Sequence, residues 1–245
     1  STRVIAVTSG KGGVGKTSLS VNLAIQFSKK GKRVVIIDAD FGLANVEIML
    51  GIRPRYTMSD LIHNDMSIDE IITEGPMGIG FISGGSGVQD MVNLDKEQLR
   101  ILIGKLVRLD TLVIVDTGAG ISDSVLEFVL SSPEVLIVAT PEPTSITDAY
   151  SLLKTVNRNK EFIPEEKKIQ IIANRVSSKE EGREIYEKLN IVATKFLNIH
   201  LEYLGEIFQD ANVSKAVIEQ KPVSLAYPNS VSVKSYQEIC NRMTE

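Results

Sequence analysis

Apolar residues in this chain fall in short, nearly continuous runs. Val4-Ile5-Ala6-Val7, Arg33-Val34-Val35-Ile36-Ile37, Gly80-Phe81-Ile82 and Thr111-Leu112-Val113-Ile114-Val115 are four of them; residues 135–139 and 169–173 supply two more, and 201–207, interrupted by Glu202 and Glu206, reads as a last strand. Runs without polar alternation read as strands buried on both faces. Between them, apolar positions recur at helical spacing, from Leu19 onward, over 96–107 (Leu99, Leu102, Ile103 and Leu106 on one face), 122–130 with Ser122 as N-cap, 144–157 and 179–196, and near 212–219 and 231–243. Residues 41–75 predict only short helices around 58–63 and 68–72, and 158–168 a charged connection. Strands alternating with helices predict an α/β fold, a doubly wound and mostly parallel sheet, in a single domain over 1–245. Ligand groups in such a sheet gather at the carboxyl ends of the strands.

Composition narrows the function. Net charge is −4, so no global basic field attracts nucleic acid. Cys240 is the sole cysteine, which excludes an internal disulfide and any Cys-pair or iron–sulfur site. It shares a helical face with Val233, Tyr236 and Met243 and is expected to pack there. His63 and His200 have no partner cluster that would suit a metal. No apolar run approaches the ~18 residues of a membrane span and no signal peptide opens the chain, so a cytoplasmic protein is expected. The chain starts at Ser1 without an initiator Met, and we expect it to be trimmed at both ends.

The stretch from Gly10 to Ser18, Gly-Lys-Gly-Gly-Val-Gly-Lys-Thr-Ser, lies between the first strand run and a helical pattern. It satisfies G-x-x-x-x-G-K-[ST] in the strand–loop–helix context of a P-loop. Backbone N–H groups of Gly12, Gly13, Val14 and Gly15, with the helix N-terminus behind them, form a cradle for oxygen-rich polyanions. Lys16 is expected to neutralise β/γ-phosphate charge and Thr17 to ligate Mg²⁺, with Ser18 among the nucleotide-binding residues. Lys11 points away from that cradle. It reads either as a solvated lysine or as one that reaches a phosphate across a subunit interface.

Carboxylates stand at the predicted strand ends. Asp116 follows Leu112-Val113-Ile114-Val115, the Walker-B arrangement that presents a carboxylate toward Mg²⁺. Asp38 and Asp40 share a direction at the end of the second strand; Asp38 is expected to hold the metal's water shell and Asp40, farther into the loop, to orient the attacking water. Gly118 and Gly120 lie in a loop that can follow the γ-phosphate as a switch. Asn174 ends another strand and can donate and accept against an adenine edge. The glycine-rich stretch 83–87 lacks the GK[ST] continuation and reads as a structural turn.

Together these residues resemble the MinD/ParA group of deviant Walker-A ATPases, a SIMIBI-type P-loop NTPase family whose K-G-G-x-G-K-[ST] pattern is matched by residues 11–17. The likeness continues through Val35 to Asp40, Asp116 to Ile121 and Asn174-Arg175, and so spans the chain. It implies ATP and Mg²⁺ as cofactors and hydrolysis to ADP and phosphate in an ATP-dependent homodimer. Lys11 would be the signature lysine that contacts the partner subunit's nucleotide. Asp40-Phe41-Gly42-Leu43-Ala44-Asn45-Val46-Glu47 to Gly51 is most similar to the FlhG branch (FleN, YlxH), regulators of flagellar number and placement. That branch implies switch or dimer roles for Lys11, Asp40, Asn45, Gly118 and Gly120, and nucleotide contacts from Asn174 and Arg175. Asp210 is a candidate base contact in the loop where the family usually carries a proline and this chain has Phe208. An FlhF-type GTPase, flagellar C-ring components and a membrane surface, reached through a C-terminal helix outside this sequence, are the implied partners, with a peripheral location at the inner face of the cell membrane.

Three other functions compete. A division-site MinD ATPase has the same chemistry and different partners, although such proteins more often carry Arg where Ala44 stands. A partition ATPase of the ParA type needs a basic DNA-binding surface that the charge does not supply. A metabolic P-loop phosphotransferase would leave Lys11 without a role.

Overall fold

The computed structural model describes residues 1–40, 45–85 and 95–245. Calls on 41–44, and on Ser86 and Gly87 of the glycine-rich turn, lie outside the described residues. The strands are β1 (Arg3–Thr8), β2 (Val34–Ala39), β3 (Thr73–Glu74), β4 (Gly80–Ile82), β5 (Leu112–Thr117), β6 (Glu134–Ala139), β7 (Lys168–Val176) and β8 (Glu202–Phe208). They form one sheet in the order β3-β4-β2-β5-β1-β6-β7-β8. Every pairing is parallel except that of the two-residue β3 with β4.

The helices are α1 (Lys16–Lys29), α2 (Asn45–Leu50), α3 (Met58–His63), α4 (Ile68–Ile71), α5 (Lys96–Leu106), α6 (Asp123–Ser131), α7 (Pro143–Asn157), α8 (Lys179–Val192), α9 (Ala211–Ile218), α10 (Val223–Ala226) and α11 (Val231–Thr244). Alternate strand residues face opposite layers. Val34 and Ile36 pack with α1, α2 and α9–α11, whereas Val35 and Ile37 pack with α3–α5. The β6–β7 half is covered by α6–α8. Helix α1 is buried on nearly every side, and Cys240 joins Val233, Tyr236 and Met243 in its core cluster as expected.

Four sequence expectations change. Strand β7 runs on past Asn174 and Arg175, which were expected to end it, to Val176. The extension is possible because the strand bulges: the β8 register shifts between Asn174 and Val176, and Arg175 adopts φ +59°. Helix α8 stops at Val192 and a π-turn carries the chain to Leu197, since Asn198 at φ +55° ends helical geometry. Ser122 stands at the N-cap of α6 without a side-chain cap bond, its hydroxyl contacting Ser124 instead. The elements α2, β3 and α10 were not foreseen; all are six residues or shorter, too short for periodicity to register.

Candidate nucleotide site

The register of the central strands assembles the site. Asp38 of β2 lies directly opposite Asp116 of β5, and β1, on the other side of β5, runs into the glycine loop. Gly10 is required there because a Cβ would sit 2.0 Å from the Asp148 carbonyl oxygen in α7. Gly15, at φ +87°, would place one 2.4 Å from Asn174 Nδ2. The loop is thus held against two neighbouring elements that leave no room for side chains.

Lys16 and Asp116 form a buried ion pair, Nζ to Oδ1 2.9 Å. Thr17 Oγ1 donates to Asp116 Oδ2 at 2.8 Å and Ser20 Oγ donates to Oδ1 at 2.9 Å. Asp116 therefore has three partners, of which Ser20 escaped sequence reading because it lies beyond the motif. Asp38, equally buried, has no cation at salt-bridge distance among the described residues; its Oδ1 accepts the Asp40 backbone N–H at 3.1 Å. Burial, then the charge of Asp116, pushes the Asp38 carboxyl well above its ordinary range. Asp40 is half-buried, and burial raises its carboxyl too, opposed by Lys16.

A divalent cation fits this group. Asp38 and Asp116 are buried carboxyl groups opposite each other on adjacent strands, a pair whose joint ionisation a cation would favour, and Thr17 places a hydroxyl beside Asp116. Among the described residues no cluster of three or more His, Cys, Asp or Glu side chains could hold a metal. The protein would thus supply few ligands and leave the rest to water and phosphate, which is the usual coordination of Mg²⁺.

The site opens into a cavity of about 640 Å³. Gly12, Gly13, Gly15, Lys16, Thr17 and Ser18 line one wall, and Asn45 of α2 with Asp40 another. Asn174 Nδ2 donates to the Val14 carbonyl and Arg175 Nη1 to that of Gly13, each at 2.7 Å. Both therefore brace the phosphate loop, and the second amide hydrogen and the carbonyl of Asn174 remain for a ligand. Gly118 stands against Asp40, where a Cβ would approach Oδ1 to 3.3 Å, while the Gly120 N–H donates to the Ser9 carbonyl at 3.0 Å. The loop of Gly118 and Gly120 is thereby stitched to the start of the phosphate loop.

Asp210 lines the cavity, but its visible work is structural. Oδ1 accepts the Asn212 N–H to cap α9, and Oδ2 accepts from Ser230 Oγ and from the hydroxyl and N–H of Ser232 at the head of α11. Burial opposes ionisation, yet these donors hold its carboxyl below the ordinary range. Phe208 packs against the cluster of Val176 and Ile185 and also lines the cavity.

Lys11 lies outside the cradle, as expected. Its ammonium contacts Glu142 Oε2 at 3.0 Å and Thr144 Oγ1 at 2.7 Å, at the N-terminus of α7. Sequence reading missed these two partners, although they stand in the Pro141-Glu142-Pro143-Thr144 segment that follows β6. It also missed the apolar wall of Val213, Val217 and Ile218 from α9 and the buried Tyr236 from α11. Only the packing of the C-terminal helices brings these to the site.

The CobQ/CobB/MinD/ParA nucleotide binding domain family matches residues 5–223. The antiactivator FleN of Pseudomonas aeruginosa is 42% identical over 98% of this chain and 86% of its own length. The flagellum site-determining protein YlxH of Helicobacter pylori is 37% identical over 97% of this chain and 80% of its own. Among solved structures, the septum site-determining protein MinD from Pyrococcus horikoshii, complexed with Mg-ADP, superposes with a TM-score of 0.84 at 22% identity, covering 100% of this chain and 97% of that one, and attests the fold.

Proposed function

The chain belongs to the CobQ/CobB/MinD/ParA family of nucleotide-binding domains and is an ATPase of that family; on this premise we propose that it is a dimerisation switch controlling flagellar number or placement. ATP and Mg²⁺ assemble the dimer, and hydrolysis releases it. The carrying observation is the position of Lys11. It follows the first glycine of the cradle, yet its ammonium is held 3.0 Å from Glu142, so the chain's own phosphates are left to Lys16. A second lysine reserved for a neighbouring subunit's nucleotide makes each active site complete only in the dimer.

In the assembled site the loop N–H groups and Lys16 hold the phosphates. Thr17, Asp38 and Asp116 would hold Mg²⁺, which when bound neutralises charge on the phosphate oxygens. Asp40, ionised, orients the water, and Lys11 supplies the trans charge, a contribution of the arginine-finger kind worth roughly 10³–10⁵ in rate. The flagellar assignment rests on the likeness to FleN and YlxH along almost the whole chain. With it come an FlhF-type GTPase, C-ring components and the inner face of the cell membrane as partners. No helix among the described residues is long and apolar enough to cross a membrane, so the contact proposed is peripheral.

Sizing the protein with ADP and with a non-hydrolysable ATP analogue, then adding flagellar and division partners, tests this reading. A dimer with the analogue alone and capture of a flagellar partner are expected. A monomer in both states would overturn the switch, and selective capture of a division partner would move the assignment to septum placement.

A further inference from the structure

The amino ends of the strands form a face of their own, at the opposite end of the sheet from the nucleotide cavity. Leu112 of β5 pairs with Arg3 of β1 on one side and Val34 of β2 on the other, so these strands start at one level. The segments that lead into them are tied together there. The Arg33 carbonyl accepts the Leu112 N–H at 3.0 Å and the Thr111 hydroxyl at 2.6 Å. Ser28 Oγ donates to the Met77 carbonyl at 3.1 Å, in the turn before β4.

Six cations collect on this face. Lys29 ends α1 and Lys30 follows it, Lys32 and Arg33 precede β2, and Lys105 and Arg108 lie where α5 gives way to β5; all six are exposed. None is at salt-bridge distance from a carboxylate among the described residues. Arg33, Lys105 and Arg108 line a recess of about 470 Å³ together with Ile68 and Leu109. Asp69 in its wall and Asp110 near Arg33 offset only part of the charge. In a chain of net charge −4 such a cluster is a local departure. Beside these cations, Met77 and Val107 are 46% and 44% exposed.

Unpaired cations interleaved with exposed apolar side chains, at one level, match the surface of an anionic bilayer. Lipid phosphates meet the ammonium and guanidinium groups while the apolar side chains enter the boundary between headgroups and acyl chains. A nucleic acid would take the charges but leave Met77 and Val107 in water. No aromatic ring among the described residues lines the recess for a base to stack on.

We infer that this face is a docking surface for anionic phospholipid, with the recess of Arg33, Lys105 and Arg108 taking a headgroup phosphate. The inference rests on the peripheral membrane contact proposed above and gives that contact a place on the folded domain. Lipid held there leaves the nucleotide cavity, at the other end of the strands, open.

Flotation with phosphatidylcholine vesicles, with and without phosphatidylglycerol, tests this on the whole chain. Wild-type protein should float with the anionic vesicles only, and less as salt rises. Arg33→Gln/Lys105→Gln/Arg108→Gln should weaken that partitioning about a hundredfold, since each cation near an anionic surface contributes about fivefold. Its melting temperature and Mg-ADP affinity should not change, because the three side chains are exposed and lie away from the cavity. Lys179→Gln/Lys188→Gln/Lys234→Gln, which removes equal charge elsewhere, should partition within about twofold of wild type. Equal partitioning of wild type and the Arg33/Lys105/Arg108 variant into anionic vesicles would overturn the inference while leaving the membrane reading intact. Wild-type protein that floated with neither vesicle would overturn both. Preference for short duplex DNA over anionic vesicles would overturn the inference in favour of a nucleic-acid partner.

Discussion

Lys16 Nζ lies 2.9 Å from Asp116 Oδ1 with both side chains almost fully buried. The two groups that an incoming nucleotide and metal would separate are, without them, each other's counter-ion. Truncating one partner of such a pair leaves a buried charge uncompensated, a loss of roughly 3–5 kcal/mol.

Lys16→Ala should therefore lose Mg-ADP binding and also unfold at lower denaturant than wild type. The double variant Lys16→Ala/Asp116→Asn should regain most of the stability and none of the binding. Denaturant titration and calorimetry separate the two effects; unaltered nucleotide affinity in Lys16→Ala would refute its phosphate role.

Asp38 sets a pH dependence of stability. Its carboxyl is raised in the folded state, first by burial and then by Asp116. The native protein therefore holds this proton at pH values where the unfolded chain has released it, and stability falls as pH rises from the ordinary carboxylate range through the raised value. Asp38→Asn should flatten that slope and raise the nucleotide-free melting temperature, by about 2–4 °C for each kcal/mol relieved in a domain of this size. It should also abolish the further stabilisation that Mg²⁺ gives to the ADP complex. Thermal melts across pH, with and without Mg-ADP, check both; an unchanged slope would mean Asp38 titrates normally.

Lys11→Ala should leave Mg-ADP affinity within about twofold and melting nearly unchanged, because its pair with Glu142 is solvent-exposed and such pairs contribute ~0–1 kcal/mol. Turnover should nevertheless fall by at least about 10³, the lower bound of an arginine-finger effect. A variant that hydrolyses ATP at the wild-type rate would remove the trans-acting role.

Asp40→Ala should bind ATP, slow hydrolysis by about 10²–10⁴, and accumulate the dimer on sizing columns. Because burial raises the Asp40 carboxyl, wild-type turnover should climb with pH as that group ionises. A variant that stays monomeric in ATP would count against the switch.

The residues that carry the chemistry were legible early because each combines a scarce residue type with a fixed place in the strand rhythm. Lys16, Thr17 and Asp116 are set by a loop motif and the end of an apolar run, and the structure brings the first two each within hydrogen-bonding distance of Asp116. The partners of these residues were harder to see. Ser20 looks like any polar residue in a helix, and Glu142 and Thr144 lie more than 130 residues from the lysine they hold. Asp210 drew notice for its position in the base loop, but its carboxylate is taken up by Asn212, Ser230 and Ser232. Nothing in its neighbours along the chain announces that the start of α11 folds back onto it.

By itself, then, the sequence determined the parallel sheet, the phosphate loop and the acidic strand ends, since these follow from local periodicity and from short-range motif geometry. Tertiary structure alone decided where the long-range polar contacts fell: Lys11 on Glu142, and Asn174 and Arg175 on the phosphate loop. Those contacts join elements far apart in sequence, and no periodic pattern records them, because a hydrogen bond depends on placement to within a fraction of an ångström, whereas an apolar pattern needs only the correct face.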